Sequence, residues 1–250
     1  MRFFLYLLLL GVLNPIQAQR KNQRLAELTY NSLMKTVDAA TPAKRDAFVK
    51  SLNGVLSMAK DRDFEAKLTR HIAYLEGLQY FNIPKADTIR ITDSLLTANR
   101  LKLSRDKGAL FIEPDANFKA VTKKEKSGAY LYLFINTSQD LHLEMVNYTN
   151  GRPTLGIEEI RMTVDAMDHD YFLNWVKTND NGFEYCTIET NTENFIRLFE
   201  ALSASEKEVT ITFKGPKKDR KVGLSPEMLK EMKTIFACYH HLKQTDGTQN

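Results

Sequence analysis

The sequence predicts an α+β fold: an N-terminal helical bundle or set of helical hairpins, followed by a mainly antiparallel β-sheet carrying two helices. Three observations predict it. From Gln19 to about Gly108, apolar residues recur at helical spacing. After Gly128 the period changes to alternation, as where Leu141, Leu143 and Met145 alternate with His142 and Glu144. Two further helical stripes follow among the strands, Phe195–Phe199–Leu202 and Leu229–Met232–Phe236–Tyr239. Short turns between strands favour antiparallel pairing, and two amphipathic helices can cover one face of such a sheet.

Residues 1–18 read as a signal peptide. Met1-Arg2 is a short positive start, Phe3 to Leu13 is almost unbroken apolar, Asn14-Pro15 breaks the run, and Ala18 supplies the small residue before cleavage. The apolar run is about half the ~20 residues a spanning helix needs. No cysteine follows the cleavage site, which argues against a lipoprotein signal. The mature chain is therefore expected to be periplasmic or secreted, with no membrane span after cleavage.

Residues 19–108 read as a helical region with four stripes. The first holds Leu25, Leu28, Met34 and Val37. Thr41-Pro42 then supplies a cap and a first-position proline, and Phe48, Leu52, Val55 and Leu56 make the second. Phe64, Leu68, Ile72, Leu75 and Leu78 make the third; Ile91, Leu95, Ala98 and Leu101 make the fourth. Tyr74, Gly77 and Tyr80 have a tetratricopeptide-like spacing, but Ile89, Asp93 and Leu96 do not continue it, so a plain bundle fits better. Residues 109–128, with Pro114 and the run Lys123-Lys124-Glu125-Lys126, read as a linker.

Residues 129–242 read as the antiparallel α+β domain. Tyr130 to Ile135 is apolar on both faces, which suits a central strand. Ile160, Met162 and Val164 alternate with Arg161 and Thr163; Tyr171, Leu173 and Trp175 form another run. Asn181-Gly182 is a hairpin signal, and Phe183, Tyr185 and Thr187 leave it. Thr190 and Glu193 have the spacing of a capping box. Val209, Ile211 and Phe213 form a strand that Gly215-Pro216 ends, Val222 and Leu224 resume it, and Ser225-Pro226 opens the last helix. The polar tail, residues 243–250, reads as disordered.

Composition argues against a polyanion partner. The chain of 250 residues carries a formal charge of +4, with 35 basic and 31 acidic side chains interspersed, and the leader removes one of the basic ones, Arg2. A nucleic-acid binder concentrates its charge on one face. The most basic run, Lys214 to Lys221, lies in a turn with no interleaved aromatic residue, so no nucleic-acid partner is expected. Hydrolase, zinc-protease, P-loop and dinucleotide motifs are missing, and no cofactor, metal or catalytic residue is assigned.

Asp165, Asp168, His169 and Asp170 form the densest group of oxygen and nitrogen ligands, yet lack the glycine and terminal glutamate of a calcium loop. Trp175 follows them and offers a ring for stacking on a sugar. Trp175, Asp168 and His169 are therefore the ligand-binding candidates. Adjacent His240 and His241 point about a quarter-turn apart on a helix, a poor chelating geometry. Export permits a disulfide, and Cys186 and Cys238 pair if the last helix packs on the strand holding Cys186; otherwise they are two separate buried thiols.

The C-terminal half also resembles a known group. Phe195-Ile196, Ala201-Leu202, Glu208 to Gly215, Leu224-Ser225 and Met228 to Tyr239 resemble the close of an uncharacterised family of small exported bacterial α+β domains, over roughly residues 130–242. In that family a helix precedes a strand ending in a basic residue, phenylalanine and glycine, then a short strand, a serine-capped helix and an aromatic finish. Asn150-Gly151-Arg152-Pro153 stands here where the family has an aromatic Asp-Asp-Trp turn. The resemblance implies a bacterial origin and an envelope address, and no activity. The expectation is an exported non-catalytic binding or structural module of the bacterial cell envelope, meeting another envelope protein through its N-terminal helices. The alternative is an envelope hydrolase or carbohydrate-binding protein with a cleft near Trp175 and Asp165–Asp170.

Overall fold

A computed structural model describes residues 2–36, 39, 41–114, 127–151, 153–173, 176–178, 182–189 and 191–244, without the side chains of 2–16, 177–178 and 187–189. It shows the expected α+β architecture: N-terminal helices, then antiparallel sheets with further helices. The chain divides into two compact units, Met1–Leu78 and Gln79–Asn250.

The first unit holds α1 (Arg2–Thr36), α2 (Pro42–Met58) and α3 (Arg62–Glu76), with α2 packed on both others. Thr41 Oγ1 accepts from the Lys44 amide at 3.3 Å with Pro42 at the first position, and Asp61 Oδ1 accepts from the Phe64 amide at 2.9 Å. Each cap satisfies an amide that a helix start leaves open. Phe48, Leu52, Val55, Leu68, Ile72 and Leu75 are buried as their spacing predicts. The first stripe is turned. Leu25 and Leu28 are 51% and 59% exposed, and Ala26 and Tyr30 are buried instead. Small Ala26 admits a close helix approach, while the Tyr30 ring meets Phe64 edge-on at 5.6 Å and covers more apolar area than either leucine. Among the described residues no helix is long and apolar enough to cross a membrane.

The second unit starts earlier than the stripes implied. Residues 79–92 run along the sheet unit: the Leu141 amide donates to Pro84 O at 2.8 Å, and the Asp87 amide to Leu242 O at 2.7 Å. The fourth stripe yields a 3-10 turn and a six-residue helix, α4 (Asp93–Ala98), and then turns into strand. β1 (Leu101–Asp106) and β2 (Ala109–Pro114) form a hairpin where the end of the helical region and the start of the linker were expected. Its two-residue loop, Lys107-Gly108, has φ of 48° and 86°, the doubly left-handed geometry that matches strand twist.

The remaining strands are β3 (Ser127–Ile135), β4 (Leu141–Asn150), β5 (Glu159–Val164), β6 (Met167–Phe172), β7 (Lys177–Thr178), β8 (Phe183–Glu189), β9 (Thr210–Lys214) and β10 (Asp219–Gly223); the helices are α5 (Glu193–Ala204) and α6 (Pro226–Leu242). They make two antiparallel sheets, where one was expected: six strands in the order β1-β2-β3-β4-β8-β7, and four in the order β10-β9-β5-β6. The chain changes sheet between β4 and β5, where Leu155 and Ile157 are buried and the Glu184 carboxylate accepts the amides of Leu155, Gly156 and Ile157 at 2.6, 2.7 and 3.4 Å. Backbone that leaves a sheet must find other partners, and one side chain supplies three.

α6 lies across β3, with β4 and β2 beside it. Ser225 caps it, accepting from the Met228 amide at 3.3 Å, with Pro226 first in the helix, as read from sequence. α5 starts at Glu193 with Thr192 as its cap residue; Thr190 of the expected capping box lies outside the described residues. Glu193 pairs with Arg197 one turn on, at 3.0 Å. Phe195 stacks on Tyr171 of β6 at 4.4 Å, and Phe199 meets Phe236 of α6 at 5.5 Å, so α5 ties the smaller sheet to the last helix.

Candidate functional site

The larger sheet has two apolar faces of different kinds. On β3, Ala129, Leu131, Leu133 and Ile135 are buried under α6, while Tyr130, Tyr132 and Phe134 point to the other face and stay half-buried. Alternation puts Phe111 and Glu113 of β2, His142 and Glu144 of β4, and Phe183 and Tyr185 of β8 on that second face. The register sets Phe111 beside Phe134, Phe134 beside His142, Tyr132 beside Glu144 and Tyr148 beside Tyr185.

The rings form a pavement. Phe111 lies 5.1 Å from Phe134 and 6.3 Å from Tyr132, and Tyr132 lies 6.4 Å from Tyr130. Phe134 meets His142 at 5.5 Å; on the far side Phe183 lies 5.8 Å from Tyr148 and 5.7 Å from Tyr185. Neighbouring planes are inclined by 21° to 43°, so several ring faces are offered along the sheet.

Two carboxylates flank the tyrosines. The Tyr132 hydroxyl donates to Glu144 Oε2. Burial, and then the Glu144 charge and this bond, push the Tyr132 phenol well above its ordinary range. Burial does the same to Tyr130, with Glu113 the next cause. Both phenols stay protonated donors and are not nucleophiles. The face offers π-clouds, hydroxyl donors and carboxylate acceptors, a binding chemistry.

Asp168 and His169, singled out from sequence, do not come together. Asp168 and His169 are neighbours on a strand and so point to opposite faces. Asp168 is on the outer face of the smaller sheet, accepting from Thr163 Oγ1 at 2.8 Å and paired with Arg161 at 3.1 Å. Arg161 also clasps Asp170 at 2.6 and 2.8 Å, and Asp165 accepts from the Ser205 hydroxyl at 3.0 Å. Burial alone would raise the Asp170 carboxyl; hydrogen bonds from Arg161 and the Lys214 charge outweigh it and hold the group low. His169 pairs in register with Met162 on the inner face, and burial lowers its pKa. Trp175 lies outside the described residues. The carboxylates of this segment are thus spent on a surface charge network, and the cleft that the hydrolase alternative needs does not form from Asp168 and His169.

Cys186 and Cys238 are separate buried thiols. α6 packs over β3, β4 and β2, while Cys186 sits on β8 beyond β4, beside Asn147. Burial pushes their pKa values up to about 12 and about 11, so neither is a thiolate at neutral pH. Among the described residues no group of three or more His, Cys, Asp and Glu side chains is placed to hold a metal ion.

Clefts elsewhere carry mixed charge. One of about 310 Å³ at the start of α6 is lined by Arg100, Lys230, Glu227 and Glu231; another of about 290 Å³ lies between Phe81, Ile196, Arg197, Glu200 and His240. Opposite charges interleave in both.

Sequence reasoning missed the aromatic face, although Tyr130-Leu131-Tyr132-Leu133-Phe134-Ile135 carries a signal for it. Aliphatic and aromatic residues alternate there, so the two faces differ even though both are apolar. No protein-family model matches the chain, and no curated protein matches it in sequence.

Proposed function

We propose that this chain is an exported, non-catalytic binding module of the bacterial cell envelope, and that it binds through the aromatic face of its larger sheet. One observation carries the reading: half-buried rings on β2 and β3 form one cluster and those on β8 a second on the same face, flanked by carboxylates, with no activated nucleophile among them. Contiguous apolar surface open to solvent marks interaction sites, and these rings keep part of their surface accessible. The leader-like residues 1–18 supply the address, and the resemblance of residues 130–242 to exported bacterial domains points the same way. The N-terminal helices remain a second contact surface, with Leu25 and Leu28 one turn apart and exposed.

The test is fractionation. The chain is expressed with its own leader and its mature N-terminus read by mass spectrometry; isolated envelopes are then incubated with wild type and with the Tyr130→Ser/Tyr132→Ser variant. The expected result is a start at Gln19 and co-sedimentation of wild type alone, with both proteins still unfolding cooperatively. A cytosolic chain starting at Met1, or equal sedimentation of the two, overturns the reading.

A further inference from the structure

We infer that the occupant of the aromatic face is cationic, a lysine- and arginine-rich segment of a partner protein. The inference rests on the binding role proposed above and names the ligand chemistry. Glu144 of β4 pairs with Tyr132 on one side of β3, and Glu113 follows Phe111 by two residues on β2 at the other side, so the two carboxylates flank the Tyr130–Tyr132 pair and both charges bear on both phenols. The ring faces add their own negative quadrupole. A cation laid over Tyr130, Tyr132 or Phe111 meets a π-cloud from below and a carboxylate from the side, while a phosphate or carboxylate ligand would be repelled by the same groups. The register places two lysines at the edges of this face: Lys102 of β1 opposite Glu113 and exposed at one margin, and Lys177 of β7 opposite Tyr185 at the other, with Glu144 between them on the interior side.

Size selects a polypeptide over a small ammonium ion. From β2 across β3 and β4 to β8 the face that carries the two ring clusters spans three strand spacings, about 14 Å, and Tyr130 to Phe134 runs about 13 Å along the strand. A single alkylammonium cage closes around one cation with a few rings. A surface of this extent holds several basic side chains of one segment, whose aliphatic stems lie along the rings while the charged heads reach the glutamates.

The test uses the full chain and defined probes: octalysine, octaglutamate and the neutral sugar chitohexaose, followed by calorimetry, with circular dichroism melts as the folding control. Octalysine is expected to bind, with affinity falling about tenfold in Glu144→Gln and again in Glu113→Gln, and falling further as salt rises. Tyr132→Leu, which keeps apolar bulk but removes the π-face, is expected to weaken octalysine binding as well. Octaglutamate is expected not to bind. Chitohexaose binding that Tyr132→Leu abolishes, without octalysine binding, overturns the cationic occupant while leaving the binding face standing. No response to any probe overturns the inference on its own, since envelope sedimentation tests the face separately. Octalysine affinity unchanged in all three variants also overturns it, by placing the contact elsewhere.

Discussion

Between Tyr30 and Phe48 the His71 imidazole is fully buried, with Nδ1 3.4 Å from the Tyr30 hydroxyl and the Phe48 ring edge-on at 5.4 Å. Burial, and then the Lys67 charge, lower its pKa to about 3. The unfolded chain titrates near 6.5, so between these values the unfolded state binds the extra proton and stability falls with falling pH. The contribution is complete above about pH 6.5 and drains toward about pH 3, at up to about 1.4 kcal/mol per pH unit. Urea midpoints measured at pH 7 and pH 4.5 are expected to differ more in wild type than in His71→Leu; equal differences would remove His71 as the cause. Glu184 is the matching case in the sheet unit, 1% exposed with three amides on its carboxylate. Glu184→Ala strands those amides and is expected to cost about 2–4 kcal/mol, with Glu184→Gln costing less because one acceptor oxygen remains. Thermal unfolding of the two variants checks the order. None of this was legible in the sequence, where one histidine in a helical stripe and one glutamate in a strand look like any others.

Elements were legible where period and punctuation agree. The alternation at residues 141–145 and 160–164 gave strands, and Ser225-Pro226 gave the start of α6 to the residue. Period alone does not name the partner, so the sheet change between β4 and β5 stayed hidden: it depends on Glu184 meeting backbone almost thirty positions away. The β1–β2 hairpin was missed because Leu101 fits both a helical stripe and a strand, and the deciding signal is the two-residue Lys107-Gly108 turn. Gly108 at φ 86° holds a backbone that a β-branched residue resists, and an added Cβ would meet Thr137 Cγ2 at 3.3 Å. Gly108→Val is expected to cost about 1–2 kcal/mol, and Lys107→Asn to restore a few tenths in the same background. Chemical denaturation of the single and double variants separates the two effects. The side of α1 that is buried was also misread, because counting leucines ignores that a tyrosine can cover more surface with its ring than a leucine at the margin.

The whole molecule consists of two units with separate cores, one of helices around His71 and one of two sheets with α5 and α6. The charge transition at His71 belongs to the first alone. Mild acid is therefore expected to loosen the helical unit before the sheet unit, seen as loss of far-ultraviolet helical signal while the sheet amides stay protected from hydrogen exchange; a single coincident transition would show the units to be coupled. The overall class was readable because each unit has one dominant period. The aromatic face was not, because its rings fill positions that a core strand would also fill, and only the packing of α6 on one side sets the other apart: among the described residues its rings stay half-buried.

The tie between the sheets has a mechanical consequence. Arg220 on β10 reaches over to Thr149 and to the Asn150 carbonyl at the end of β4, and Gly151 leaves the room for it, since a Cβ there would lie 2.6 Å from the guanidinium. Glu184 reaches the opposite way, from the larger sheet onto the strap that leads into the smaller. Two hooks thrown in opposite directions resist sliding more than either alone. A pull on the aromatic face loads this double latch together with the contact of α5 on α6, so parting the two sheets requires both hooks to let go.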